Sequence, residues 1–189
     1  MHATDDFTRR LAKVSTIRLQ TTLVRIVPHA ELAKHAPPDF LMTSGKPNRL
    51  NPPGIECVYF SEDETTANKE FERPWKGLHA AKQPKVTFFA DVRLDRVLDL
   101  TQTKNIETLK ISTRDLHMPW RGRREPTLMQ QLGQTVCSFS RISAIRFPSD
   151  AMSADDLDGC NVVIYRRNVV EPDSVIIRGH SKKSLQKWP

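Results

Sequence analysis

Hydrophobic residues along this chain occur mainly in short runs that alternate with polar residues or follow one another directly, a pattern typical of β-strands. Such runs predict strands at residues 23–27, 57–61, 86–94, 97–100, 144–147, 161–165 and 174–178. Spacings of three and four residues predict a short amphipathic helix within residues 4–20, where Phe7, Leu11 and Val14 share one face. Many short strands with few helices, in no strict alternation, predict an α+β fold.

Further segments carry helix signals. Ser61 or Asp63 can cap a helix that runs to about Arg73 and is ended by Pro74. The longest predicted helix runs from Thr127 to about Arg141, directly after a proline. Shorter helical segments are predicted at residues 29–36 and 105–111, and a long loop at residues 37–54.

The composition is that of one soluble globular domain, because the chain has 189 residues, of which 38% are hydrophobic and 27% charged. No segment approaches the ~20 apolar residues of a membrane span, and the N-terminus lacks the pattern of a secretion signal. Cys57, Cys137 and Cys160 are widely spaced and predict neither a disulfide framework nor a metal site. We therefore expect a cytoplasmic protein without a metal.

Two basic segments account for the whole net charge of +7, at residues 120–124 and 178–189. Together with the N-terminal amphipathic segment, they suggest that the chain has three parts. These are an amphipathic extension (1–21), a main domain (22–178) and a basic tail (179–189). The tail is either a solvated, frayed end or a segment that docks an acidic partner or nucleic acid. Direct nucleic-acid binding is disfavoured because no aromatic platform of the kind that single-strand binding needs is interleaved with these charges.

The segment from Arg49 to Glu70 holds the most informative chemistry, with Tyr59 between those two residues. An arginine before a turn, an aromatic residue ending a strand and a carboxylate on the next helix can converge on one cleft. The expected guest carries phosphate, a ring and a developing positive charge. Taken singly, the three side chains are more typical of a surface arginine, a half-buried strand tyrosine and a solvated helix face.

Two other residues are candidates with an ordinary alternative each. Arg25 shares a strand face with Leu23 and Val27, so it either points into a cleft and binds an anion or lies on an exposed edge strand. Ser149 either contributes to a site or starts a turn. No Gly-x-Ser-x-Gly setting surrounds it, and no glycine-rich phosphate or dinucleotide loop occurs.

Taken together, these residues resemble the RES domain family over residues 22–166. The central block, Asn48-Arg-Leu-Asn-Pro-Pro-Gly-Ile-Glu-Cys-Val-Tyr59 continuing to Glu70, is the most specific part. The other resembling segments are Leu23-Val-Arg25-Ile, Ala144-Ile-Arg-Phe-Pro-Ser149 and Gly159-Cys-Asn161-Val-Val-Ile-Tyr165. Leu50 and the lead-in Ser44-Gly45-Lys-Pro-Asn48 depart from the family pattern, and residues 151–158 and the tail lie outside it.

The resemblance implies a compact single-domain fold related to ADP-ribosyltransferases, with a split, mostly antiparallel sheet flanked by helices. It implies an enzyme that consumes NAD by hydrolysis or phosphorolysis, paired as a toxin with a small DNA-binding antitoxin. Glu70 would be the central catalytic carboxylate, with Arg49 and Ser149 as further catalytic residues. The residues implied to bind NAD are Arg25 and Arg49 at the phosphates or ribose, Tyr59 beside the nicotinamide, Ser149 at the ribose, and Asn161.

Two alternatives to NAD breakdown stay open. A protein ADP-ribosyltransferase would use the same residues but transfer the ribosyl group to a side chain. A non-catalytic binding module would gain support if Arg121, Arg123 and Arg124 joined the tail in a patch away from Glu70. The N-terminal amphipathic segment and exposed strand edges leave room for a homodimer.

Overall fold

Seven strands form one sheet in a computed structural model, which describes residues 3–32, 41, 45–73, 84–139, 141–178 and 184–189. The strands are β1 (Thr16–Pro28), β2 (Val58–Ser61), β3 (Lys85–Asp99), β4 (Ala144–Pro148), β5 (Cys160–Ile164), β6 (Ser174–Arg178) and β7 (Ser184–Trp188). The helices are α1 (Ala3–Leu11), α2 (His29–Leu32), α3 (Glu64–Glu72), α4 (Thr103–Leu109), α5 (Thr113–Leu116), α6 (Leu128–Ser138) and α7 (Asp150–Ser153).

Five of these strands close into a ring in the order β1-β2-β5-β4-β3, because β1 pairs with β3 as well as with β2. The long strand β3 makes the closure possible. Its residues Phe89–Arg93 pair with β6, which continues to β7, while Val97–Asp99 pair with β4. The β3–β4 pairing is parallel, and the other pairings between described strands are antiparallel.

The predicted α+β class is confirmed, but the predicted split sheet is wrong. A closed five-stranded barrel with two added strands takes its place. The two apolar runs predicted at 86–94 and 97–100 are one strand, because Asp95 and Arg96 between them remain in extended backbone. Asp95 forms an ion pair with Arg18 on the neighbouring strand, with a distance of 3.0 Å between Arg18 Nε and Asp95 Oδ1.

The sheet is buried on both faces in the region that carries the site. On β5, Val162 and Ile164 pack into one hydrophobic cluster, whereas Val163 and the following Tyr165 pack into another. This explains the continuous apolar run in the sequence, since a strand covered on both sides has no solvent face. The second cluster also contains Leu132 and Val136 of α6 and Phe7 of α1.

Most predicted elements are present with shifted ends. Asp63 caps α3 as predicted, accepting a hydrogen bond from the Thr66 backbone N–H at 2.8 Å, and Thr127 caps α6. Pro74, the predicted stop of α3, and residues 33–36 of the predicted second helix lie outside the described residues. The four-residue helices α5 and α7 are not predicted by the sequence pattern.

Both ends of the chain differ from the expected divisions. Strand β1 begins at Thr16 and therefore crosses the expected boundary after residue 21, and Phe7 and Leu11 of α1 are buried in the core. The expectation of a frayed tail is wrong for residues 184–188, which pair with β6 as β7 and bury Trp188. Residues 179–183 lie outside the described part of the tail.

Candidate active site

One cleft of about 490 Å³ brings the predicted site residues together, a size usual for a small-molecule site. Its lining includes Arg25, Arg49, Tyr59, Glu70 and Asn161. Ser149 lies directly behind this wall and is fully buried. Glu70 therefore shares the cleft with the two arginines. Had it faced bulk solvent far from them, there would be no basis for a common site.

Glu70 is held by two neutral donors on a single oxygen. Ser149 Oγ and Asn161 Nδ2 each donate to Glu70 Oε1 at 2.7 Å. Asn161 is oriented in turn by Ser61, whose hydroxyl donates to Asn161 Oδ1 at 2.8 Å. Within the described residues, no group donates a hydrogen bond to Glu70 Oε2. Among the described side chains, one carboxylate oxygen is thus fixed and the other is left for a ligand.

Strand register brings these donors together from distant parts of the sequence. Asn161 on β5 lies opposite Ser61 on β2 and opposite Phe147 on β4. Ser149 follows β4, where its backbone N–H donates to the Gly159 carbonyl at 2.8 Å. Two residues separate the end of β2 from the start of helix α3, which carries Glu70 back over these strands.

The loop that carries Arg49 is fixed by hydrogen bonds from the core. The buried Tyr165 hydroxyl donates to the Leu50 carbonyl at 2.8 Å, and Gln130 Nε2 donates to the Asn48 carbonyl at 2.9 Å. Leu50 itself is fully buried, although an aromatic residue is expected there from the family pattern. A buried anchor on each side of Arg49 sets the direction of its side chain.

Helix α6 approaches the same loop at Gly133. A Cβ atom at this position would overlap the Leu50 carbonyl oxygen and would lie 2.6 Å from the Tyr165 hydroxyl. Glycine is therefore required here by the close contact between helix and loop.

Tyr59 links the loop to the cleft wall. Its hydroxyl donates to Asn51 Oδ1 and accepts from the Leu50 backbone N–H, both at 2.9 Å. Its ring meets Phe147 edge to face, with ring centroids 6.3 Å apart. Burial raises the pKa of Tyr59 well above its ordinary value, so the hydroxyl remains protonated.

Arg25 points into the cleft, and the alternative of an exposed edge strand is wrong because Leu23 and Val27 are buried. Its Nη1 donates to the Tyr59 carbonyl at 2.6 Å, and its buried Nε has no hydrogen-bond partner among the described residues. Burial lowers the pKa of Arg25 to about 10, which leaves it charged at neutral pH. The charged guanidinium group of Arg25, which lines the cleft, suits an anionic ligand.

A second carboxylate, Asp150, binds three basic side chains of the cleft. This residue was not predicted from the sequence. Arg49 binds it through both terminal nitrogens, with Nη1 at 2.5 Å from Oδ1 and Nη2 on Oδ2. Arg73 Nη1 lies 3.2 Å from Oδ2, and His117 Nδ1 lies 2.7 Å from Oδ1. The side chains of Asp150 and Arg49 are 7% and 12% exposed, so this is a largely buried ion pair.

His117 is neutral in this cluster at physiological pH. Burial, together with the positive charges of Arg49 and Arg73, lowers the pKa of His117 below its ordinary value of 6.5. Its contact with Asp150 is therefore a hydrogen bond from a neutral imidazole N–H, although the distance would also suit an ion pair. No local signal distinguishes His117 or Asp150 from ordinary loop and capping residues.

Part of the basic loop also lines this cleft, through Trp120 and Arg121. The Arg121 guanidinium lies 5.1 Å from the centroid of the half-buried Trp120 ring. Arg121 is thus at the same cleft as Glu70, which is contrary to the separate basic patch that a nucleic-acid module requires. Arg123 and Arg124 are exposed to solvent.

The described ranges also bear on metal binding and membrane insertion. These residues contain no cluster of three or more His, Cys, Asp or Glu side chains arranged to hold a metal ion. None of their helices has the length and apolar character needed to cross a membrane.

Comparisons with known proteins agree on the type of domain. The family model described as RES domain matches residues 22–183. No curated protein matches this chain significantly. Among solved structures, a chain of the crystal structure of the M. tuberculosis MbcT–MbcA toxin–antitoxin complex is similar, with a TM-score of 0.61 and 19% sequence identity. The match covers 88% of this chain and 86% of that chain, and at this identity it shows the fold alone.

Proposed function

Because this chain belongs to the RES domain family, we propose that it is an enzyme that consumes NAD by cleaving the bond between nicotinamide and ribose. The observation that carries the proposal is Glu70, a carboxylate with one fixed and one available oxygen in a cleft lined by guanidinium groups. We further propose that the protein acts in the cytoplasm as the toxin of a toxin–antitoxin pair. Support for the pairing is its likeness to a chain of a toxin–antitoxin complex.

The chemistry requires a carboxylate that is fixed in place. Cleavage of the nicotinamide–ribose bond builds oxocarbenium character on the ribose, as in glycoside cleavage. In the proposed mechanism Glu70 Oε2 accepts hydrogen bonds from the ribose hydroxyls, and the negative charge stabilises the developing positive charge. Nicotinamide leaves as a neutral molecule, so no strong general acid is required at the leaving group.

The neighbours of Glu70 have supporting roles in this mechanism. Ser149 was expected to contact the ribose, but its full burial and its hydrogen bond to Glu70 favour a role in positioning the carboxylate. Asn161 lines the cleft and can reach the substrate as well as Glu70. Tyr59 would present its ring edge or face to the nicotinamide while its hydroxyl stays on the Arg49 loop.

The arginines supply the charge that a pyrophosphate needs. Arg25 lines the cleft and keeps its positive charge, and Arg73 is 47% exposed although it contacts Asp150. Arg49 uses both terminal nitrogens on Asp150, so it would contribute its charge and its remaining N–H groups. These three groups would fix the substrate with its reacting carbon at Glu70.

Product analysis with NAD tests the proposal. Purified wild-type protein is incubated with NAD, with and without phosphate, and the products are identified by mass spectrometry. We expect free nicotinamide together with ADP-ribose when water is the acceptor, or with its phosphate ester when phosphate is. The matched variants are Glu70→Gln, expected to be inactive, and Glu72→Gln on the exposed side of the same helix, expected to be active.

Two outcomes would change the assignment. Equal NAD turnover by wild type and Glu70→Gln would remove the proposed role of the carboxylate. Labelled ADP-ribose attached to protein, without free product, would instead indicate a protein ADP-ribosyltransferase. The toxin proposal predicts that expression of the wild type, but not of Glu70→Gln, depletes cellular NAD and arrests growth.

A further inference from the structure

The segment that follows α5 is tied to the charged centre of the cleft. The Leu116 carbonyl accepts a hydrogen bond from Arg49 Nη1 at 3.2 Å, and His117 Nδ1 lies 2.7 Å from Asp150 Oδ1. A third hydrogen bond, from Arg123 Nε to the Pro119 carbonyl at 2.7 Å, closes the turn beyond them. Trp120 is therefore carried by a loop that is anchored to the cleft on its N-terminal side and closed as a turn by Arg123.

Trp120 is a large apolar side chain that lies outside the hydrophobic core of the described residues. It is half-buried and lines the cleft, and it belongs to neither hydrophobic cluster of the described residues. Arg121 lies over its ring and lines the same cleft. An indole ring with a guanidinium beside it is a platform suited to a flat, electron-rich heterocycle.

Contacts and chain adjacency connect Glu70 to the loop that carries Trp120. Glu70 is bonded to Ser149, and the next residue, Asp150, gathers Arg49, Arg73 and His117. Three residues after His117 comes Trp120. This series of contacts runs from the carboxylate through the guanidinium groups to the segment with the aromatic ring, and all three kinds of group line the same cleft. A dinucleotide has the same order, with its reacting ribose, its pyrophosphate and its second base.

We propose that Trp120 and Arg121 form the subsite for the adenine ring of the substrate, so that the enzyme selects the dinucleotide over its nicotinamide mononucleotide half. This proposal deepens the proposed function and rests on it for the identity of the reacting end. Stacking of adenine on Trp120 would lower KM for NAD and leave the bond-breaking step at Glu70 unchanged.

Comparison of two substrates tests this subsite. The ratio kcat/KM is measured for NAD and for nicotinamide mononucleotide with wild type, Trp120→Ala and Trp120→Phe. We expect Trp120→Ala to lower kcat/KM for NAD by roughly 10- to 100-fold, mainly through KM, and to leave the mononucleotide value unchanged. Trp120→Phe should restore part of the loss because it keeps a stacking surface.

A control variant distinguishes the effect of losing the Trp120 ring from the effect of losing positive charge in the same loop. Arg124→Ala removes an exposed positive charge of the same loop that does not line the cleft, and it should keep the wild-type preference for NAD. An equal loss for both substrates in Trp120→Ala would show a structural role and overturn the subsite. An unchanged value for NAD would also overturn it.

Binding of adenosine monophosphate keeps this test independent of the reaction. If the wild type cleaves neither NAD nor the mononucleotide, the proposed function fails, but calorimetric titration with adenosine monophosphate still probes the subsite. We expect Trp120→Ala to weaken this binding by about 10-fold or more. No binding to the wild type, or equal binding to both proteins, would overturn the adenine subsite.

Discussion

Glu70 and Asp150 are two carboxylates of one cleft that are held in opposite ways. Glu70 receives neutral hydrogen bonds from Ser149 and Asn161 on one oxygen. Asp150 receives both terminal nitrogens of Arg49, as well as Arg73 and His117, on both oxygens. Ser149, which binds Glu70, and Asp150 are adjacent in the chain. The surroundings of the two carboxylates are therefore linked through neighbouring residues.

We propose that this difference gives each carboxylate a different task. Neutral donors orient Glu70 without cancelling its charge, which leaves it able to respond to positive charge that develops on a substrate. Guanidinium groups cancel the charge of Asp150 and saturate its oxygens, which makes it a structural anchor for the Arg49 loop and the segment at His117. The removal of one charge should therefore affect turnover at residue 70 and stability at residue 150.

The largest expected effect is on catalysis in Glu70→Gln. We expect kcat for NAD cleavage to fall roughly 10²-fold or more, about 3 kcal/mol in activation free energy, because the charge facing the transition state is lost. The glutamine side chain can still accept from Ser149 and Asn161, so the melting temperature should stay near that of the wild type. A large fall in melting temperature would show that Glu70 is also an anchor.

The complementary effect is on stability in Asp150→Asn. We expect the free energy of unfolding to fall by about 2 kcal/mol, because Arg49 keeps its Leu116 contact but loses a buried counter-charge. Urea denaturation measures this change. Asp155→Asn is the matched control, since Asp155 pairs with Lys69 at the surface and the loss of this pair should leave the free energy of unfolding almost unchanged.

Ser149→Ala tests the link between the two carboxylates. The variant removes one of the two donors to Glu70, and we expect kcat to fall about 10-fold with little change in KM for NAD. A rise in KM alone would instead support the ribose contact that the sequence suggested. Retention of activity by Ser149→Thr, which keeps the hydroxyl, would support the positioning role.

The smallest expected effect is a pH dependence of stability from His117. Because folding lowers the pKa of His117, the unfolded chain binds the proton more readily. This contribution to stability is present above the ordinary pKa of 6.5 and is lost as pH falls through the lower folded value. His117→Gln should flatten the fall in melting temperature between about pH 7 and pH 5. Identical pH profiles would contradict this contribution.

Local sequence predicted the Glu70 region far better than the Asp150 region. Arg49, Tyr59 and Glu70 lie within one segment whose turn, strand and helix signals set their relative order. Their convergence and the inward direction of Arg25 could be inferred from strand alternation and from family resemblance. Asp150, His117 and Trp120 gain their roles only through tertiary contacts, and each has an ordinary local explanation.

The fold shows the same limit. Burial patterns and caps predicted β2, α3, α6 and β5, because those signals are local. Closure of the sheet depends on the register between β1 and β3, strands separated by more than fifty residues, and no local pattern fixes such a register. Strand β7 was missed because its lysine-rich surroundings resemble a solvated tail, while one buried Trp188 secures its end.

The contact of Gly133 with the Arg49 loop gives a way to inactivate the protein from outside the cleft. If the chain arrests growth, a genetic screen for escape mutants should recover residue 133 alongside residue 70. A substitution at residue 70 would leave an inactive, folded protein that still binds its antitoxin. A bulky side chain at residue 133 would instead distort the fold. Immunoprecipitation with the antitoxin would distinguish the two classes of escape mutant without an activity assay, because only the residue-70 variants should be recovered.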